Sequence, residues 1–264
     1  MTDAWNPTQY QRFANERSQP FFDLLSMLEP TRIGRAVDLG CGTGELTAAA
    51  AKQLGTSTMA GIDNSAAMLK AARPHASAAV KFDSADIAAW TSRGDHDLVL
   101  SNAALQWVPN HVEVIKRWAA ALAPGGQIAI QVPANADHPS HRLAMAVATK
   151  PPYIAAFGGW PPDDPVAKNV LGPEKYAELL HELGFERQLV RLQVYGHLLD
   201  SSRDVVEWVK GTTLTRFKTL LSAEMYDDFL FDYRSRLLDA IGDRKPYFYP
   251  FKRILIWGRR PAES

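Results

Sequence analysis

Four short stretches carry residue types suited to gripping a nucleotide-like ligand. The first is Asp38-Leu39-Gly40-Cys41-Gly42-Thr43-Gly44. Its glycines let backbone approach a ligand closely and accept positive φ. The second is Asp63, nineteen residues after Gly44, a carboxylate able to accept hydrogen bonds from both hydroxyls of a ribose. The third, Asp86-Ile87, offers an acceptor to an adenine amino group and an apolar side chain to its ring. The fourth is Asn102-Ala103-Ala104-Leu105-Gln106-Trp107, in position to face the reactive end of such a ligand.

Each stretch also has an ordinary reading. A glycine-rich turn after a strand can be a tight turn and nothing more, and an Asp at a strand end can be a helix N-cap. A ribose acid serves a nicotinamide dinucleotide as well as S-adenosylmethionine (SAM). The spacing Gly40-x-Gly42-x-Gly44 differs from the G-x-G-x-x-G that wraps a pyrophosphate. That spacing and the Asp86-Ile87 pair favour SAM.

The elements that would position these residues follow from local pattern. Pro20 to Leu28 predicts a helix with Pro20 in its first turn and Phe21, Leu24, Leu25 and Leu28 on one face. Apolar strands are expected at 36–39, 58–62, 80–83, 98–100 and 127–132, with helices at 45–54, 68–72 (capped by Asn64-Ser65) and 112–122, the last stopped by Pro124-Gly125-Gly126. Strand and helix alternating at short intervals specify a parallel sheet covered on both faces. In such a sheet a ligand lies at the carboxyl ends of the strands, where all four stretches fall.

Beyond Val132 the pattern loosens. Residues 133–172 are rich in Pro, Gly and aromatics, as in Gly158-Gly159-Trp160-Pro161-Pro162, and read as a lid or binding loop. A helix is expected at 174–183, a strand at 187–195, and a helix opened by a Ser201/Asp204 capping box. An amphipathic helix carries Met225, Phe229, Tyr233 and Leu237, and a last strand, Phe251 to Trp257, is expected to close the sheet. The expectation is one α/β domain over 1–264, mostly parallel with an antiparallel last strand. Its SAM-binding core would be 30–133, with a helical cover drawn from 1–29, 134–172 and 201–245.

Bulk properties narrow the partners. Lys plus Arg and Asp plus Glu each total 29, giving formal net charge zero, so no global field holds nucleic acid or an anionic membrane. The N-terminus has neither a basic nor an apolar signal region, and no apolar run reaches the length of a membrane span. Cys41 is the only cysteine. It excludes an internal disulfide, reads as a packing residue, and fits a cytoplasmic protein. His138 and His141 have no convincing third ligand, so no metal is expected.

The run Val37-Asp38-Leu39-Gly40-Cys41-Gly42-Thr43-Gly44 resembles the glycine motif of class I SAM-dependent methyltransferases. Gly61-Ile62-Asp63-Asn64-Ser65 is similar to that family's ribose motif, and Leu122-Ala123-Pro124-Gly125-Gly126 to its turn before strand five. The resemblance implies a Rossmann-like fold and SAM held by Asp38, Gly40, Cys41, Gly42, Gly44, Asp63, Asn64, Met68, Asp86, Ile87, Asn102 and Arg17. A narrower resemblance, to the trans-aconitate methyltransferase family, is carried by Trp5-Asn6-Pro7 through Tyr10, Phe13 and Glu16-Arg17-Ser18, by Ser101 through His111, and by Phe251, Arg253 and Arg259-Arg260. It departs in the Pro-rich stretch 146–165.

This narrower resemblance implies esterification of a trans-aconitate carboxylate, with S-adenosylhomocysteine (SAH) as by-product. A carboxylate is already ionised at neutral pH, so neither a general base nor any other catalytic side chain is expected. Orientation and desolvation do the work. The remaining carboxylates need cationic anchors, for which Arg216 and Arg253 lead with Arg17 third, and His197 and Tyr195 lie nearby in sequence. Tyr10 and Trp107 complete the expected substrate set. Other acceptors (a phenol, an amine, the free carboxyl of an acyl-carrier thioester), an NAD-dependent oxidoreductase and a non-catalytic SAM-binding protein are the alternatives.

Overall fold

The computed structural model describes residues 14–262, the side chains of 14–17 excepted. Seven strands, β1 (Arg35–Leu39), β2 (Thr58–Asp63), β3 (Val80–Ser84), β4 (His96–Asn102), β5 (Leu122–Pro133), β6 (Arg187–Leu199) and β7 (Tyr247–Arg259), form one sheet. Their order is β3-β2-β1-β4-β5-β7-β6. The first five are mutually parallel, and β7 runs antiparallel to both of its neighbours. This is the mostly parallel Rossmann-like arrangement with an antiparallel last strand that the sequence predicts.

One detail corrects the sequence reading. The last strand does not close the sheet but inserts between β5 and β6, leaving β6 at the edge. Burial explains the order. Arg253 to Gly258 is buried without interruption, which a position between two strands and under helices requires. In β6, by contrast, Leu189, Leu192 and Val194 are about half exposed.

Helices α1 (Ala14–Leu25), α2 (Glu45–Leu54), α3 (Ala66–Ala72) and α4 (His111–Ala120) pack around the parallel strands. Helix α2 begins after Gly44 and ends before Gly55, both left-handed, at φ 73° and 63°. Ser65 caps α3 by accepting from the Met68 amide at 3.2 Å, as its position predicts. Two boundaries differ from expectation. Pro20 sits inside α1, not in its first turn. An interior proline costs about 3 kcal/mol, and the full burial of Phe21 and Leu24 against the sheet offsets it. Helix α4 stops at Ala120, and β5 already begins at Leu122. Pro124-Gly125-Gly126 forms a bulge within it, because Leu122 pairs with His96 while Gln127 pairs with Leu98. A Cβ on Gly126 would lie 2.8 Å from the carbonyl oxygens of Ala123 and His96, so only glycine fits that crossing.

The stretch expected as a long loop is partly helical: α5 (Pro139–Ala148), α6 (Tyr153–Ala156) and α7 (Pro165–Asn169) precede α8 (Pro173–Glu182). After β6 come α9 (Asp204–Lys210), α10 (Thr215–Lys218) and α11 (Ala223–Ile241). The Ser201/Asp204 box forms only in half. The Asp204 carboxylate accepts from both the amide and the hydroxyl of Ser201, at 2.9 and 2.8 Å, instead of the hydroxyl capping the helix. Phe229, Tyr233 and Leu237 of α11 bury against α5, α9 and the first half of β7, where Val147, Trp208 and Tyr249 meet them. This cluster is separate from the two that line the faces of the parallel strands.

Candidate active site

The carboxyl ends of β1 to β4 open into a cavity of about 560 Å³. At its floor the chain turns sharply after β1. Gly40 adopts φ 85°, and its amide donates to the Ile62 carbonyl at 2.7 Å. A Cβ there would lie 2.1 Å from the Cβ of Ala104, so the absence of a side chain lets the β1 and β4 loops touch. Ala103, beside that contact, holds a left-handed conformation at φ 54° and donates to the Gln131 carbonyl. Strained non-glycine backbone of this kind concentrates at ligand sites.

Asp63 joins the two cofactor-type motifs physically. One carboxylate oxygen accepts from the Gly42 amide at 2.9 Å, the other from the Ser65 amide at 2.8 Å. Asp86 accepts from the Ala88 amide at 2.9 Å, which shapes the β3 turn. Asp38, Gly40, Cys41, Gly42, Asp63, Asn64, Met68, Asp86, Ile87, Asn102 and Trp107 all line the cavity. Gly44 does not. Its missing side chain makes room for Phe82 and Ala72, whose carbons would lie 2.5 and 2.8 Å from a Cβ. Tyr10 lies outside the described residues, as does the side chain of Arg17.

A second cavity of about 70 Å³ adjoins the first and shares Asn102, Ala103, Trp107 and Arg216 with it. Its walls include Arg253 from β7, Gln106, and His141 and Asp164 from the cover. Arg216 is only 10% exposed. Its Nη2 donates to Met145 Sδ at 3.3 Å and lies 3.7 Å from Asp164. Its Nε and Nη1 find no hydrogen-bond partner among the described residues, and burial holds its pKa below the ordinary guanidinium value. Arg253, expected at the start of its strand, sits in the middle of β7. It donates to Gln131 at 3.2 Å, with its guanidinium 4.7 Å over the Phe251 ring. Tyr195 and His197 line neither cavity. The Tyr195 hydroxyl donates to Asp23, and His197 stacks on Trp208.

His141, Asp164 and Gln106 escaped notice as a group because nothing in their spacing joins them. One signal was available: Asp164-Pro165 is an N-cap followed by proline at the first helical position, and Asp164 does accept from the Val166 amide at 2.9 Å. No cluster of three or more metal-ligating side chains occurs among the described residues.

Residues 36–126 match the model of the methyltransferase domain family. A trans-aconitate 2-methyltransferase of Deinococcus radiodurans is 39% identical over 98% of this chain and 99% of its own. One of Delftia acidovorans is 39% identical over 97% and 98%. The chain belongs to the trans-aconitate 2-methyltransferase family. It is a SAM-dependent methyltransferase, and the nicotinamide alternative falls. Among solved structures, a methyltransferase from Bacillus halodurans superposes with TM-score 0.60 at 14% identity, covering 92% of this chain and all of that one. Phosphoethanolamine N-methyltransferase 2 of Haemonchus contortus, solved with SAM, gives 0.53 at 18% identity, over 92% and 52%. These last two speak for the fold.

The cavity fits the cofactor the family uses, since Gly40 leaves its floor open and Asp63 presents a carboxylate beside the glycine turn. Asp63→Ala should weaken SAM or SAH binding by more than the loss of one charge-assisted hydrogen bond, about 1.5–3 kcal/mol, because the Gly42 and Ser65 amides lose their acceptor too. Calorimetric titration of SAH reads this directly, and unchanged affinity would remove Asp63 from the site.

Asp38 gives a second prediction. Its Oδ2 accepts from Thr47 at 2.6 Å, while Oδ1 is buried without a partner among the described residues. Burial pushes its pKa up to about 7, the Thr47 bond opposing and Asp63 adding. The unfolded chain releases this proton near pH ~4 and the folded chain near 7. Between those values the unfolded state holds fewer protons, so this group's contribution to stability falls as pH rises. Asp38→Asn should lack that component, giving a flatter melting temperature across the window. Parallel curves for the two proteins would mean that Asp38 ionises normally.

No helix among the described residues is long and apolar enough to cross a membrane.

Proposed function

We propose that this methyltransferase esterifies one carboxylate of trans-aconitate, the acceptor named for its relatives. The observation that carries the reading is the pair of buried Arg253 and Arg216, whose side chain is 10% exposed, on the walls of one small cavity that shares Asn102, Ala103, Trp107 and Arg216 with the cofactor cavity. Burying carboxylates without cations is costly, and guanidinium groups suit them through bidentate bonds. A small acid fits this site, with no nucleic acid or membrane partner. A cytoplasmic location belongs to the same reading, supported by the lone Cys41, which leaves no internal disulfide to form.

SAM supplies a methyl group on a cationic sulfur. The chain's own work is to hold the acceptor oxygen in line with it and to exclude water. Asn102, Ala103 and Trp107, shared by both cavities, stand where the two substrates meet. In the transfer the oxygen–methyl bond forms as the methyl–sulfur bond breaks, with no proton to move, so no side chain need act as a base. The segments 134–172 and 201–245 serve as the cover that dries the site, and 1–29 is expected to join them. Turnover of labelled SAM with trans-aconitate, cis-aconitate, citrate and a monocarboxylate tests the assignment. A preference for polyacids, highest for trans-aconitate, is expected, and indifference to acceptor charge would defeat it.

A further inference from the structure

His141 lies on α5 at 4% exposure. Its Nδ1 sits 2.9 Å from Asp164 Oδ2, and its Nε2 sits 3.5 Å from the Thr213 hydroxyl. All three residues line the small cavity with Arg216 and Arg253. Asp164 cannot turn away, because its other oxygen caps α7 through the Val166 amide. Burial opposes its ionisation, yet the His141 hydrogen bond and the charges of His141 and Arg216 hold its carboxyl below the usual range. An ionised, immobile carboxylate on Nδ1 keeps the proton there and leaves Nε2 beside the Thr213 hydroxyl on the cavity wall.

We propose that His141, oriented by Asp164, is a third anchor for the acceptor, donating from Nε2 as imidazolium to a carboxylate oxygen. The proposal rests on the polyacid reading above and adds to it. The charge count favours it. Arg216, Arg253 and protonated His141, set against Asp164, leave two net positive charges. Two negative charges remain on the carboxylates of a triacid that do not react. With neutral His141 the site is one charge short.

The other ionisable groups around the ring do not supply that charge. His138, the N-cap of the same helix, is held at about pKa 4 by burial, with His141 next in effect. Its Nδ1 accepts from the Ser140 amide, which requires the neutral form. From α7 the facing group is Asp164, from α10 Arg216, and from β7 Arg253. Asp163 beside Asp164 is exposed and paired with Lys168.

The consequence is that acceptor binding draws a proton from solution. Calorimetry of trans-aconitate into the SAH complex, near neutral pH in two buffers of contrasting ionisation enthalpy, measures the uptake. Wild type should take up protons on binding trans-aconitate, and its affinity should fall as pH rises. His141→Gln should take up none, lose that pH dependence, and bind about tenfold more weakly. In turnover the change falls on KM more than on kcat. Asp164→Asn should move in the same direction. SAH affinity, read first in each variant, reports an intact cofactor site. Proton uptake that is absent in wild type, or unchanged in His141→Gln, overturns the anchor. If wild type binds SAH but neither binds nor methylates trans-aconitate, the polyacid reading itself has failed, a result distinct from normal turnover with unaltered uptake.

Discussion

Gly40→Ala should bind SAM and SAH at least about a hundredfold more weakly than wild type. Two costs combine. A side chain at φ 85° is disfavoured by about 1–2 kcal/mol. The new methyl would also lie 2.1 Å from the Cβ of Ala104, an overpacking that costs about 1–3 kcal/mol once neighbours shift. Those neighbours are the β1 and β4 loops, and both line the cofactor cavity. Relief of the clash therefore spoils the cavity, at about 1.4 kcal/mol per tenfold in affinity. Gly55→Ala is the control. It carries similar φ strain at 63°, but its added methyl meets nothing within 4 Å and it lies at the far end of α2. It should lower the melting temperature slightly and leave SAH affinity alone. Equal effects of the two substitutions would mean that the contact with Ala104 has no part in the site.

Arg216→Ala should cut kcat/KM for trans-aconitate by about a hundredfold, in keeping with the 2–5 kcal/mol typical of truncating one partner of a buried charge pair. Its melting temperature should fall modestly, because Nη2 loses Met145 and the buried Asp164 carboxylate, while Nε and Nη1 have no hydrogen bonds among the described residues to lose. Buried donors left unsatisfied cost about 1–3 kcal/mol each, and a bound carboxylate is the natural group to satisfy them. The loss should be smaller on a monocarboxylate, which has no second charge to anchor. Arg216→Lys should recover part of the activity, since a point charge lacks the bidentate fork. Equal losses on monoacid and triacid would place Arg216 at the cofactor rather than the acceptor, a real alternative given that it borders both cavities.

The cofactor half of the molecule was readable because its signals are local. Glu45–Leu54 is bounded by two glycines, and Asp63 ends an apolar strand just before Ser65 caps the next helix. Each of those residues acts on neighbours within a few positions. The proposed acceptor site depends on contacts across long separations, such as His141 with Asp164, Arg216 with Met145, and Arg253 with Gln131. No periodicity encodes these. The place of β7 between β5 and β6 was hidden for the same reason, since an apolar strand does not announce its neighbours. Pro20 inside α1 shows tertiary burial overriding a local rule.

The separation of the Phe229-Tyr233-Trp208 cluster from the clusters flanking the parallel strands has an evolutionary corollary. Substitutions on α5 and α10, which carry walls of the proposed acceptor site, are absorbed within a packing unit that does not include the glycine turn or Asp63. A lineage can therefore drift toward a new acid while the methyl-donor machinery stays under unrelaxed selection, so the two halves of one active site can change at different rates.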